Sequence, residues 1–218
     1  MPARDLIAPY GRRLRRTARR LVHPTRIASK RRWRQRRAER AQLLSLLPKE
    51  GICAEVGTYR GDFAAVIVRA SNPRQLHLVD AWEYRPEDAY EGATYGGHAQ
   101  AGQDGMDAMY ESVVERFRTQ IDSGTVLVKR ARSIDAAASF SEESLDWVYI
   151  DADHSYEAVK RDLEAYFRVV KPGGFLAGDD YGEEDRWFGQ GVTQAVDEFA
   201  ERCADLTVIG TQFLLRKL

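Results

Sequence analysis

The stretch AEVGTYRGDFA, Ala54 to Ala64, decides how this chain is read. It closes the apolar run ICAEV and opens a helical pattern marked by Phe63, Ile67 and Ala70. Gly57 and Gly61 stand four apart behind Glu55. Glycine lets a backbone turn tightly and approach a ligand closely. A phosphate loop would add Gly-Lys-Ser/Thr, and a dinucleotide fold the denser Gly-x-Gly-x-x-Gly. Neither follows here. The segment therefore predicts a strand-to-helix turn that receives something other than a bare phosphate.

Working outward, QLHLVD, TVLVKR, LDWVYID and GFLAGDD read as further strands, each bounded by turn residues. Helical spacing links Met106, Tyr110, Val113, Phe117 and Ile121, then Tyr156, Val159, Leu163, Phe167 and Val170, which KPGG should stop, then Val192, Val196, Phe199 and Cys203. Alternating strands and helices imply an α/β fold with a parallel sheet covered on both faces. The tail LTVIGTQFLLRKL breaks the rhythm and predicts an antiparallel hairpin at one sheet edge. In such sheets ligands bind beyond the carboxyl ends of the strands. Asp80, twenty-three residues past Gly57, ends the second strand, where a carboxylate can accept hydrogen bonds from both ribose hydroxyls. Glu55 adds a negative charge suited to a cationic ligand end. A nucleoside with an amino-acid-like or sulfonium group fits this set better than a dinucleotide.

The segments EVGTYRG, LVDAW and LDWVYIDADHSYEAVKRDLEAYFRVVKPGGFLAGDDY, in that order, resemble the class I S-adenosylmethionine-dependent methyltransferases over about residues 50–218. The resemblance implies a Rossmann-like, doubly wound seven-stranded sheet, mostly parallel, with an antiparallel C-terminal edge strand. It implies S-adenosyl-L-methionine as cofactor. Glu55, Gly57, Thr58 and Gly61 would surround its methionine part, Asp80 its ribose and Ser133 its adenine, with Asp151 also on the cofactor side.

Chemistry is expected at the ends of the fourth and fifth strands, where Asp151, Asp153, Asp179 and Asp180 gather. Four converging carboxylates repel unless something cationic lies between them. A divalent metal answers that need, and oxygen ligands without cysteine favour a hard ion such as magnesium, with calcium or manganese as variants. The pattern is similar to metal-dependent small-molecule and sugar O-methyltransferases and to the cephalosporin hydroxylase-like group, which implies Asp151, Asp179 and Asp180 as metal ligands. Asp153 is the first choice for the base that takes the acceptor's proton and His154 the second, because both follow the metal strand closely. Helix capping by Asp153 or Ser155 and turn chemistry at Asp179 and Asp180 are the plain structural alternatives. The long segment 81–110 reads as a cover over the site, with Tyr84, Tyr90 and Tyr95 as ring-stacking candidates and Trp187 and Phe188 as an opposite wall.

The net charge of zero conceals a split. Residues 1–40 carry fifteen basic and two acidic side chains, leaving eighteen basic and thirty-one acidic over 41–218, balances of +13 and −13. A basic helical N-terminal arm over 1–48, interrupted by Pro24, is thus expected ahead of a methyltransferase domain over 49–218. The arm has three readings: packing on the acidic body or a second subunit as a homo-oligomer, lying on an anionic membrane surface, or gripping nucleic acid. Only Trp33 offers base stacking near the arginines, which ranks nucleic acid last. Two distant cysteines without metal spacing and no apolar span fit a cytoplasmic protein, peripheral at a membrane if the arm binds one. The expected activity is methylation of a hydroxyl on a small-molecule or sugar acceptor with a divalent metal. A metal-independent O- or N-methyltransferase and a noncatalytic binding module tethered by the arm are the alternatives.

Overall fold

The structure is a computed structural model that describes residues 24–85, 95, 102–183 and 189–218, with side chains from residue 31 onward. Seven strands form one sheet: β1 Ile52–Val56, β2 Gln75–Asp80, β3 Val126–Arg130, β4 Leu145–Ile150, β5 Val170–Gly178, β6 Asp205–Ile209 and β7 Gln212–Arg216. Their order is β3-β2-β1-β4-β5-β7-β6. The first five pair in parallel, while β7 runs antiparallel to both β5 and β6. The C-terminal hairpin lies at the sheet edge as expected, with β7 inserted and β6 outermost. The strand order reverses at β1 and β4, which places the carboxyl ends of these two strands at the ligand-binding crevice of the fold.

Strand alternation builds two apolar layers. Ala54, Val56, Val148, Ile150 and Leu176 face one layer with α6 Tyr156–Val169 and α7 Gly191–Ala200. Cys53, Trp147, Tyr149 and Ala177 face the other, with α1 Pro24–Leu46, α2 Asp62–Ser71 and α3 Gly102–Arg116. By parity Glu55 and Asp151 belong to this second face. The helix expected through Met106 to Ile121 is interrupted at Phe117, whose non-helical backbone separates α3 from the short α4 Arg118–Asp122. Phe117 turns inward under Gly61, where a Cβ would lie 2.7 Å from its ring. A further short helix, α5 Ser133–Ala138, follows β3. KPGG ends α6 as expected, but it lies inside β5, where a register shift opposite Leu145 and Trp147 accommodates it.

Helix α1 confirms a basic helical N-terminal element from Pro24. Gln35–Leu218 form one compact unit and the residues up to Arg34 another, so the body begins inside α1. Leu43, Leu44 and Leu47 are the reason: each is at most 4% exposed in the core beside α2. Leu44→Ala is expected to cost about 2–5 kcal/mol in denaturant unfolding, the range for a buried leucine. A loss below about 1 kcal/mol would show that α1 does not anchor here.

Candidate active site

The turn after β1 is set by backbone geometry. Gly57 has φ +92°, and a Cβ there would lie 1.9 Å from the carbonyl oxygen of Asp151. Gly57 N–H donates to Val79 O at 2.9 Å, and Asp151 N–H to Val56 O at 2.8 Å, which draws the ends of β1, β2 and β4 together. Glu55 is 2% exposed, and its Oε2 has no hydrogen-bond partner. Burial pushes its carboxyl well above the usual range, more than the charge of Arg40 and a hydrogen bond with Thr58 can offset. Thr58 is itself buried, with its N–H on Val79 O at 3.3 Å.

At the end of β2, Asp80 accepts Tyr59 N–H on one oxygen and Trp82 N–H on the other, both at 2.8 Å, and the Tyr95 hydroxyl as well. Burial nevertheless raises its pKa. Tyr59, Trp82 and Asp180 all have positive φ without being glycine. Such backbone strain gathers at functional sites, and here all three residues lie just past strand ends.

The acidic cluster lies at the ends of β4 and β5, and α1 supplies two cations to it. Arg40 Nη2 is 2.6 Å from both Asp151 Oδ2 and Asp179 Oδ2. Arg36 pairs with Asp180, with Asp179 at 3.4 Å and with Glu183 at 3.6 Å. His154 Nε2 bridges Asp151 Oδ1 at 3.2 Å and Asp180 Oδ2 at 3.3 Å. The Arg40 guanidinium also stacks over Phe63 at 4.7 Å and Tyr149 at 5.6 Å.

A family model described as a methyltransferase domain matches residues 54–181, from the strand before the glycine turn to the residue after the Asp179–Asp180 pair. The chain belongs to the methyltransferase-domain family. A 54-residue stretch is 39% identical to the uncharacterized protein R132 of Acanthamoeba polyphaga mimivirus, covering 25% of this chain and 24% of that one, so the match spans about a quarter of the relative's length. Among solved structures, a candidate rRNA methylase from Clostridium thermocellum aligns with TM-score 0.56 at 8% identity, over 84% of this chain and 96% of that one. A candidate methyltransferase from Streptococcus mutans in complex with S-adenosylhomocysteine aligns at 0.52 and 12% identity, over 84% and 98%. Geranyl diphosphate C-methyltransferase from Streptomyces coelicolor, in complex with Mg2+, geranyl diphosphate and S-adenosylhomocysteine, aligns at 0.54 and 14%, over 84% and 66%. At these identities the likeness concerns the fold, which is that of the class I S-adenosylmethionine-dependent methyltransferases.

Within the methyltransferase domain, the residues expected around the cofactor's methionine and ribose, Glu55, Gly57, Thr58, Gly61 and Asp80, lie on one rim with Asp151. Ser133 opens α5 just past β3, but its hydroxyl donates to Asp162, whose carboxyl burial pushes up to about 6, so the side chain braces α5 to α6. The metal set expected from the sequence is rearranged. Asp179 has no oxygen to spare: Oδ1 accepts Thr211 Oγ1 and Gln212 Nε2 at 2.6 Å and Asp180 N–H at 2.7 Å, while Oδ2 takes the arginines. Among the described residues, the group able to hold an ion is Asp151, His154 and Asp180, with one ligand atom each within 4.8 Å of the others. His154 stands in this group and Asp179 does not.

Asp153 Oδ1 accepts Ser155 N–H at 2.9 Å, an Asx turn just ahead of α6, whose N-cap is Ser155 without a side-chain cap bond. His154 has its pKa raised: burial acts downward, but the hydrogen bond to Asp151 and the charges of Asp151, Asp180 and Asp179 outweigh it. Arg40 first, then His154 and Arg36, hold Asp151 well below the usual carboxylate range against its burial, while burial raises Asp180. Tyr95 reaches Asp80, and Tyr84 packs beside α2 and α3. Tyr90, Trp187 and Phe188 lie outside the described residues.

Arg36 and Arg40 are the functional-site residues that charge counting missed. Both lie in the basic arm over 1–48, one expected reading of which is packing on the acidic body. The available signal was spacing: residues 36, 40, 43, 44 and 47 repeat at three and four, so both arginines extend the face that buries the leucines.

Proposed function

We propose that this chain transfers the methyl group of S-adenosylmethionine to a hydroxyl of a small molecule or sugar held at the ends of β4 and β5. One observation carries the reading: the buried Glu55 carboxyl, whose Oε2 has no partner, lies on the strand that ends in the Gly57 turn, and that turn abuts the same Asp151 that joins the acidic rim. Bound S-adenosylmethionine would supply an electrophilic methyl sulfonium. Glu55 would meet its ammonium, the bare Gly57 backbone would admit its chain, and Asp80 would take its ribose in exchange for the Tyr95 hydroxyl. The acceptor's proton would pass to the Asp151–His154–Asp180 group, since Asp153 is engaged in the turn at Ser155.

The same three side chains fit a divalent ion, which would polarise the acceptor oxygen. With one imidazole and two carboxylates, manganese suits the set as well as magnesium. Transfer of labelled methyl to hydroxyl acceptors is expected to fall at least about tenfold on chelation and to return with manganese or magnesium. Activity untouched by chelation would favour the metal-independent reading, which Arg36 and Arg40 support because they already neutralise part of the rim. Binding of S-adenosylhomocysteine without turnover on any acceptor would favour a binding module. No described helix is long and apolar enough to cross a membrane. The arginine-dense residues 1–34 support a peripheral role on anionic lipid, expected as sedimentation with phosphatidylserine vesicles that is lost with those residues and falls steeply with salt.

A further inference from the structure

The methionine end of S-adenosylmethionine carries an α-ammonium and an α-carboxylate. The residues expected around it answer only the first: Glu55 and Asp151 are acidic, and Gly57, Thr58 and Gly61 carry no charge. A carboxylate brought into a desolvated site needs a cation. Arg40 is the cation in that place. Its guanidinium lies over the ring of Phe63, at the start of α2 two residues after Gly61, and over Tyr149 of β4. Both of its ion pairs, to Asp151 and to Asp179, run through Nη2. Its Nε is buried without a partner, as is Oε2 of Glu55. A buried unmatched donor and a buried unmatched acceptor beside one strand end are the complement of an amino-acid zwitterion.

We propose that Arg40 is the carboxylate anchor of the cofactor site, donating to the α-carboxylate of S-adenosylmethionine while Glu55 takes the α-ammonium. The proposal rests on the cofactor reading above. It gives α1 a part in the site: the helix that buries Leu43, Leu44 and Leu47 also holds the guanidinium in place. Arg36, four residues earlier, serves Asp180 and Glu183 and is not part of the anchor.

Calorimetry on the full chain with S-adenosylhomocysteine and with 5′-methylthioadenosine tests it, because the second ligand keeps the nucleoside and thioether but lacks the amino-acid end. Arg40→Gln is expected to weaken S-adenosylhomocysteine roughly tenfold to a hundredfold, the range for a charge-assisted hydrogen bond, while methylthioadenosine stays within about threefold. Arg40→Lys, which keeps the charge but loses the fork, should fall between. Arg118→Gln, which removes a guanidinium paired with Glu115 on the exposed surface, should leave the ratio of the two affinities as in the wild type. Thermal melts check folding, and if Arg40→Gln does not fold the ratio is read in Arg40→Lys, where a drop beyond about threefold is expected. An unchanged ratio, or equal weakening of both ligands, overturns the anchor. Wild-type chain that binds neither ligand overturns the cofactor reading itself.

Discussion

Alanine at position 57 is expected to abolish S-adenosylhomocysteine binding and to lower stability by about 3–5 kcal/mol, the high end for a single substitution. Two costs add. The left-handed backbone at φ +92° disfavours any Cβ, and the new methyl would stand 1.9 Å from a backbone carbonyl, which cannot rotate away as a side chain can. The turn would have to move, and with it the junction of β1 with β4. For a domain of this size the loss corresponds to a fall in Tm of roughly 10 °C. Differential scanning fluorimetry with and without S-adenosylhomocysteine measures both effects. A Gly57→Ala protein that melts within about 2 °C of wild type and still responds to the ligand would show that the turn is not closed against Asp151.

Glu55→Gln should move stability and binding in opposite directions. A carboxyl whose pKa is higher in the folded chain than in the unfolded one binds more protons when folded, so stability falls as pH rises above the unfolded value of about 4.3. The isosteric amide has no such proton to lose. The variant should therefore be the more stable protein at pH 7, with the difference shrinking to nothing near pH 4. Its affinity for S-adenosylhomocysteine should drop roughly tenfold to a hundredfold, because the ammonium loses its charged partner. Urea unfolding at the two pH values, with calorimetry at pH 7, separates the outcomes. Equal loss of stability and affinity would make Glu55 a structural residue.

The opposite signs follow from what a binding site is: a place where the fold leaves a polar group unsatisfied for the sake of a ligand. Glu55 and Arg40 Nε are such groups. Asp179, which accepts five donors, is the reverse case, and its saturation removes it from the candidate metal ligands.

Local patterns made most of the fold legible. ICAEV and QLHLVD are β1 and β2 to the residue, and the KPGG stop closes α6 at Val169. These succeed because alternation and breaker residues act over a few positions. The break at Phe117 was hidden, because it is set by contact with Gly61 more than fifty residues away. Glycine and carboxylate positions at strand ends pointed to Gly57, Asp80, Asp151 and Asp180 for the same local reason. The neutralising partners of those carboxylates were not legible from charge counts, since a net balance of +13 over residues 1–40 cannot distinguish a solvated arginine from one seated between two aspartates. His154 likewise joined the candidate ion-binding group only when β4 and β5 came side by side.

The central claim is that one rim of the sheet holds both the methyl donor and the acidic group that handles the acceptor. A crystal structure of the full chain grown with S-adenosylhomocysteine tests it most directly. The amino-acid end of the ligand is expected between Glu55 and Arg40 and the ribose at Asp80, beside Asp151. A ligand bound away from Gly57, or separated from Asp151 and Asp180 by the sheet, would contradict it.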